Sequence, residues 1–369
     1  MAAVGESLHA RKARNPAAIL RDCGDGCLRR AWVPADQLSR DAARDLRVAC
    51  IGNCHGAVSA RMRDFIGQGA VLHMTARIID GKAVARKLRG EYRLRVRHLA
   101  ASHGLQPGLA VILVGTNPAS RLYVSNKVRA CEEIGIRSER IELPAEVAEE
   151  RLLAQIDRLN ADPTVHGILV QLPLPAHIAM RRVLERISVD KDVDGFHLYN
   201  VGGLMTGSTV FPPCTPYGVQ KLLEHERVEV AGRNVVVVGA SNIVGKPTAM
   251  MLMQQDATVC ICHKLTRDLA IFTLLADILV VAAGVPNLIV PQIVRTGAVV
   301  IDVGINRLPD GRIVGDVDFE GVKEKASLIS PVPGGVGPMT VTMLLYNTLR
   351  SAERSVGIGD NDEARLALT

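Results

Sequence analysis

Between about residues 75 and 351, short apolar runs alternate with longer mixed stretches, and this rhythm predicts the architecture. Residues 109–114, 138–142 and 167–171 are candidate strands of a first series, separated by helical segments near 120–134 and 147–160. Ahead of them, Ile78-Ile79 leads into a turn at Asp80-Gly81 and a long helical stretch over about 82–103. A second series opens near Thr215, with apolar runs of strand length at 235–238, 258–262, 278–282 and 299–303. Strands buried on both faces read as continuous apolar runs, the pattern of a parallel sheet covered by helices. The expected fold class is therefore α/β with two domains and a cleft between them, the second domain a doubly wound, Rossmann-like sheet. The first should span 74–213 and the second 214–338. A helix near 339–351 follows a Pro/Gly-rich loop and is expected to fold back to complete the first domain, leaving 352–369 as a tail.

Residues 1–73 break the rhythm. They are rich in Arg, Ala and Gly and show no strand–helix alternation. Three readings stand: a translation start assigned too far upstream, with Met74 the true start; a flexible or transit-like tail; and a small metal site. Glu6, Asp22 and Asp25 weigh against a transit peptide, which is poor in acids. The pairs Cys23/Cys27 and Cys50/Cys54 suggest metal ligands, but their spacing matches no familiar zinc motif. On each reading the extension lies outside the enzyme fold.

Composition narrows the class. Hydrophobic residues at 48% and charged residues at 22% suit a globular chain rather than a disordered one. Aromatics at 3% leave the core to Val, Ile, Leu and Ala. Of the net charge of +6, +4 sits in residues 1–73, so the remainder offers no electrostatic case for nucleic acid as partner. No apolar run reaches the ~18 residues of a membrane span, and no secretory signal opens the chain. Cys131, Cys214, Cys260 and Cys262 are scattered through apolar or turn contexts and are expected to stay reduced in the cytosol.

The second series carries a nucleotide-binding corner. A valine strand at 235–238 runs into Gly239-Ala240-Ser241-Asn242-Ile243-Val244-Gly245-Lys246-Pro247. Strand, tight turn and helix start present backbone N–H groups to a pyrophosphate. The spacing departs from G-x-G-x-x-G, and taken alone it also fits an ordinary strand–turn–helix corner. The next strand ends at Cys262-His263-Lys264, with Arg267 shortly after. NAD enzymes place a carboxylate there for the ribose hydroxyls. Positive groups instead favour a 2′-phosphate and hence NADP, unless the loop is merely basic and solvated.

The first series carries reactive side chains. Tyr123 and Lys127 stand four residues apart in a helical stretch and share one face. Tyr-x-x-x-Lys also occurs in short-chain dehydrogenases, but there it follows the nucleotide loop, whereas here it precedes it. The strand over 167–171 delivers Gln171 at its carboxyl end, where open α/β sheets place ligands, and Leu172 and Pro173 follow. Asp190-Lys191-Asp192-Val193-Asp194-Gly195-Phe196 packs three carboxylates into five residues. The bidentate Glu of a calcium loop is missing, so a carboxylate here suits hydrogen bonds from a heterocycle better than a cation. Last comes a stiff, Gly-rich turn from Pro331 to Pro338, where glycines let backbone approach a flat ligand.

Together with Pro213-Cys214-Thr215-Pro216, these segments resemble the methylenetetrahydrofolate dehydrogenase/cyclohydrolase family in order and over about residues 75–349. The resemblance implies NADP-dependent oxidation of 5,10-methylenetetrahydrofolate to the methenyl form, then hydrolysis to 10-formyltetrahydrofolate. It further implies one-carbon metabolism feeding purine biosynthesis, a cytoplasmic setting, tetrahydrofolate derivatives as ligands, a homodimer and no resident metal. Carried over by motif, Tyr123 holds the folate ring, Lys127 handles the proton and Gln171 tunes Lys127. Asp194 binds the pterin edge, and Leu172, Pro173, Pro333, Gly334 and Gly335 line the folate cleft. Gly239, Ala240, Ser241, Ile243, Gly245 and Ile305 contact NADP. Ala240 departs from members that carry Arg beside the 2′-phosphate, which leaves His263 and Lys264 to share that task. A dehydrogenase without the hydrolase step, or a non-catalytic NADP-binding protein, are the alternatives.

Overall fold

A computed structural model describes residues 17–21, 29–33 and 75–359. The chain divides into two compact units, 1–72 and 73–369. In the first, strands β1 (Ala17–Arg21) and β2 (Arg29–Val33) pair antiparallel, Ile19 opposite Ala31. Met74 and the four N-terminal cysteines, on which two of the three readings of the extension turn, lie outside the described residues.

The second unit holds two parallel sheets. The smaller has the order β5 (Arg137–Leu143), β4 (Gly108–Val114), β6 (Gly167–Val170). Its central strand β4 is buried throughout, and alternation splits its side chains between two cores. Leu109, Val111 and Leu113 face the core containing Val96, Val124 and Leu345, while Ala110, Ile112 and Val114 pack with Leu152, Ile156 and Leu159. The first face is covered by helices α1 (Gly81–His103) and α2 (Pro118–Ile134), the second by α3 (Glu149–Ala161). Asp80 caps α1, its side chain accepting from Ala83 N at 3.0 Å. Asn117 caps α2, accepting from Ala119 N at 2.9 Å, with Pro118 in the first turn. Helices α4 (Met180–Arg186) and α5 (Leu198–Thr206) follow β6.

The larger sheet contains β7 (Asn234–Val238), β8 (Thr258–Cys262), β9 (Ile278–Val281), β10 (Val299–Asp302) and β13 (Leu328–Ile329), with helix α6 (Cys214–His225) ahead of them and α7 (Gly245–Met253), α8 (Leu269–Thr273) and α9 (Phe319–Lys323) between them. A small antiparallel pair, β11 (Asn306–Arg307) and β12 (Ile313–Val314), sits on the loop after β10. The order is β3-β13-β10-β9-β7-β8, where β3 is Arg77–Ile78. Here the structure corrects a simple division at residue 213. Arg77–Ile78, at the start of the first series, pairs in parallel with Leu328–Ile329 as the edge of the second sheet. Ile79 N donates to Ile329 O at 2.9 Å just beyond the pair. The last helix, α10 (Val336–Ser355), is longer than the sequence pattern indicates and packs on α6 and α1. One apolar cluster consequently runs from Leu99 and Leu109 through Leu222 and Leu345 to Val237 and Ile301, joining both lobes. No helix among the described residues is long and apolar enough to cross a membrane.

Candidate active site

Helix α2 places Tyr123 on its open face, 40% exposed, while Val124 and Cys131 on an adjoining face are buried. One turn on, Lys127 Nζ donates to Gln171 Oε1 at 3.0 Å. Gln171 sits where β6 ends, and its Nε2 donates to Leu172 O at 2.8 Å, so the amide oxygen is left facing the lysine. The strand end thus supplies both the side chain and the backbone acceptor that orients it.

The acidic turn sorts its residues by role. Lys191 Nζ donates to the carbonyls of Leu159, Asn160 and Asp162 at 2.7–2.9 Å, tying the turn to the end of α3. Asp192 accepts from Phe196 N at 3.2 Å, His197 N at 2.8 Å and Asn200 Nδ2 at 2.8 Å, so it is consumed in shaping the turn. Asp194 is the carboxylate whose charge acts on Lys127, and the Cys214 thiol beside it donates to Val193 O at 3.3 Å. Gly195, at φ 78°, makes this possible: a Cβ there would lie 2.7 Å from Phe211 O. Asn347 of α10 locks the arrangement from behind, donating to Val193 O at 2.8 Å and Pro212 O at 3.0 Å.

Burial sets the protonation chemistry. It pulls the Lys127 ammonium below the ordinary lysine value, and the charge of Asp194 pulls it partly back. The same burial pushes the Asp194 carboxyl up to about 6, restrained by Lys127. Cys214 is pushed well above the usual thiol range by burial and by Asp194, and Cys131 up to about 12 by burial, so both remain thiols. Lys127 is therefore a lysine eased toward its neutral, proton-accepting form, with a hydrogen-bond acceptor fixed on it.

The nucleotide corner is built by close backbone packing. Gly239 has φ 122°, and a Cβ on it would meet Ala282 O at 2.1 Å. A Cβ on Gly245 would lie 1.9 Å from Gly239 O. Ser241 Oγ accepts from Val244 N at 3.1 Å and Gly245 N at 3.3 Å, closing the turn over half-buried Ala240 and Ile243. At the end of β8, His263 Nδ1 accepts from Leu265 N at 3.2 Å, while Lys264 and Arg267 are exposed. This is a cradle of backbone and small side chains with cations on the adjacent strand end, and it fits a phosphorylated dinucleotide.

A cavity of about 400 Å³ joins the two lobes. It brings Tyr123 together with Ile305 and with Pro333, Gly334 and Gly335 of the Gly-rich turn. That turn abuts α1 so tightly that a Cβ on Gly81 would lie 1.9 Å from Gly335 O. Lys127, Gln171 and Asp194 form their own cluster outside the cavity lining, as do Leu172 and Pro173. The residues of the nucleotide corner, with His263 and Lys264, also lie outside it. Lys82, Asn126 and Arg129 line the cavity and were not expected from the sequence. For Asn126, three residues after Tyr123 in the helix, the spacing carries that signal. Cys214, which the sequence shows only as one of four scattered cysteines, lies beside Asp194. Among the described residues no group of three or more His, Cys, Asp or Glu could hold a metal.

The catalytic-domain model of the tetrahydrofolate dehydrogenase/cyclohydrolase family matches residues 79–194, and its NAD(P)-binding-domain model matches 213–356. The bifunctional protein FolD of Nitrosospira multiformis is 58% identical over 282 residues, 76% of this chain and 98% of the relative. The crystal structure of the bifunctional enzyme FolD, methylenetetrahydrofolate dehydrogenase/cyclohydrolase, from Campylobacter jejuni is 52% identical with a TM-score of 0.74, covering 76% of this chain and 99% of that one. The Trypanosoma brucei dehydrogenase-cyclohydrolase, complexed with NADP cofactor and inhibitor, is 41% identical with the same TM-score and the same coverage. With both family domains in order and relatives matched over nearly their whole length, this chain belongs to the tetrahydrofolate dehydrogenase/cyclohydrolase family.

Proposed function

We infer that this chain oxidises 5,10-methylenetetrahydrofolate to 5,10-methenyltetrahydrofolate with NADP, then hydrolyses the product to 10-formyltetrahydrofolate. The observation that carries the two-step reading is the 3.0 Å contact between Lys127 Nζ and Gln171 beside Asp194, in a chain that also carries the dinucleotide corner. A dehydrogenase alone has less need of a buried lysine with a lowered proton affinity.

Bound NADP supplies the acceptor for the hydride of the methylene carbon. The residues of the chain orient and protonate. Tyr123 offers its ring to the folate from the open face of α2, and ionised Asp194 accepts hydrogen bonds from the pterin edge. Leu172, Pro173 and the 333–335 turn close the sides. In the second step, neutral Lys127 takes one proton from the water that adds to the methenyl carbon, the bond from that carbon to N5 then breaks as the second proton passes to N5, and Gln171 holds Nζ in place. Gly239, Ala240, Ser241, Ile243 and Gly245 receive the pyrophosphate end, and Ile305 packs against the nicotinamide. His263 and Lys264 face the 2′-phosphate, with Arg267 near; exposed cations and no carboxylate at this strand end support NADP over NAD.

The product carries a formyl group at an oxidation level suited to purine synthesis, and a cytoplasmic enzyme is the setting we propose. A homodimer is supported by the open edge of β8 and by exposed Met253, Leu265, Ile271 and Leu275 around it; a monomer mass in solution would remove it. Turnover of methylenetetrahydrofolate by the full chain, followed by NADPH absorbance, tests the function. NADP should be preferred over NAD by about tenfold or more. Absence of turnover would refute the enzyme reading, and equal use of NAD would refute the roles of His263 and Lys264.

A further inference from the structure

Two buried carboxylates at the C-terminal ends of the large sheet have no part in the roles above: Asp302, which ends β10, and Asp316, just after β12. Both accept hydrogen bonds from the chain itself, and Asp302 also lines the cavity. Asp302 Oδ1 accepts from Gly304 N at 2.9 Å and Asp316 N at 3.1 Å, and its Oδ2 accepts from Val317 N at 2.9 Å. Asp316 Oδ2 accepts from Ala283 N at 2.6 Å and Gly284 N at 2.8 Å, and its Oδ1 from Asn306 Nδ2 at 2.8 Å. The two side chains therefore tie together the loop leaving β9, the loop leaving β10 and the segment 315–317. The joint has no slack. A Cβ on Gly304 would lie 2.2 Å from Asp316 Cγ, and one on Gly315 would lie 1.8 Å from Asp302 Oδ2.

The sheet order says what these loops face. In a doubly wound sheet the pyrophosphate lies at the first strand end and the adenosine ribose at the next, here β7 and β8. With the order β10-β9-β7-β8, the rest of the dinucleotide must run the other way, over the ends of β9 and β10. Those ends are the tied loops. Ile305, 48% exposed, projects from the same loop into the cavity it shares with Tyr123.

We propose that Asp302 and Asp316 are positioning residues for the nicotinamide half of NADP, fixing loops 283–284 and 303–306 so that Ile305 stands at a set distance from the folate side of the cleft. The proposal rests on the functional reading above. Because the hydrolase step uses no nucleotide, the two activities separate a positioning role from a general loss of structure. Asp316→Asn turns an amide N–H₂ or a single oxygen toward three donors, and Asn306→Ala removes one donor only. In the full chain, Asp316→Asn should raise the KM for NADP about tenfold or more, and Asn306→Ala should raise it less. Hydrolysis of methenyltetrahydrofolate without nucleotide should stay within about twofold of wild type for both. An unchanged KM for NADP in the variants, or a parallel fall of both activities, would overturn the proposal. Should Asp316→Asn not fold, Asn306→Ala decides on the same criteria. A wild-type chain with no NADP turnover would instead overturn the functional reading.

Discussion

Lys127 and Asp194 are charged groups that burial pushes toward neutrality from opposite sides. Each partly offsets the other, and neither is released to its ordinary value. Asp194 at about 6 has a consequence for binding, since only the ionised carboxylate accepts two hydrogen bonds from a heterocycle. As pH falls through about 6 the carboxyl gains a proton, so the KM for the folate substrate should rise toward acid pH. In Asp194→Asn the KM should be raised at every pH and lose that acid-side rise; a wild-type KM that stays flat through this range would remove Asp194 from the pterin edge. At this scale the sequence was only partly readable. Spacing put Tyr123 and Lys127 on one face, and the strand end announced Gln171. Which of Asp190, Asp192 and Asp194 faces the lysine depends on hydrogen bonds from Phe196, His197 and Asn200 to Asp192, which no local pattern reveals.

The strand–turn–helix corner of β7 and α7 shows why some elements tolerate no substitution. Gly245 opens α7 with its Cα against Gly239 O, and Gly239 in turn lies against Ala282 O. Gly245→Ala must push α7 off the sheet, and the N–H groups of the turn move with it. NADP affinity should fall at least about tenfold, by isothermal titration, while nucleotide-free hydrolysis persists. Loss of hydrolysis as well would mean that the two lobes do not act separately. The strands themselves were legible because parallel strands covered on both faces are apolar along their length, as 235–238 and 278–281 are. β3 was not: a two-residue strand carries no periodicity, and its partner β13 lies some 250 residues away in the chain. Asp302 and Asp316 escaped for a similar reason. Apart from Asn306 Nδ2, their partners are backbone amides of loops that only the folded sheet brings together.

At the scale of the molecule, the lobes are laced together from both ends of the folded unit. β3 joins the first residues to the second sheet, and α10 brings the last helix back onto α1 of the first lobe. A cleft bounded this way has walls from both lobes held by a common apolar core, which suits a substrate that must meet a nucleotide and a lysine in turn. The proposed function assigns Lys127 to the hydrolase step in a site shared with the dehydrogenase. The most direct test gives wild type and Lys127→Ala methylenetetrahydrofolate with NADP and measures, in one reaction, NADPH formed and methenyltetrahydrofolate remaining. Wild type should release 10-formyltetrahydrofolate with little methenyl intermediate left. The variant should lose hydrolysis by about a hundredfold or more, so that methenyltetrahydrofolate accumulates in step with whatever NADPH it forms. Hydrolysis at the wild-type rate in Lys127→Ala would contradict the claim.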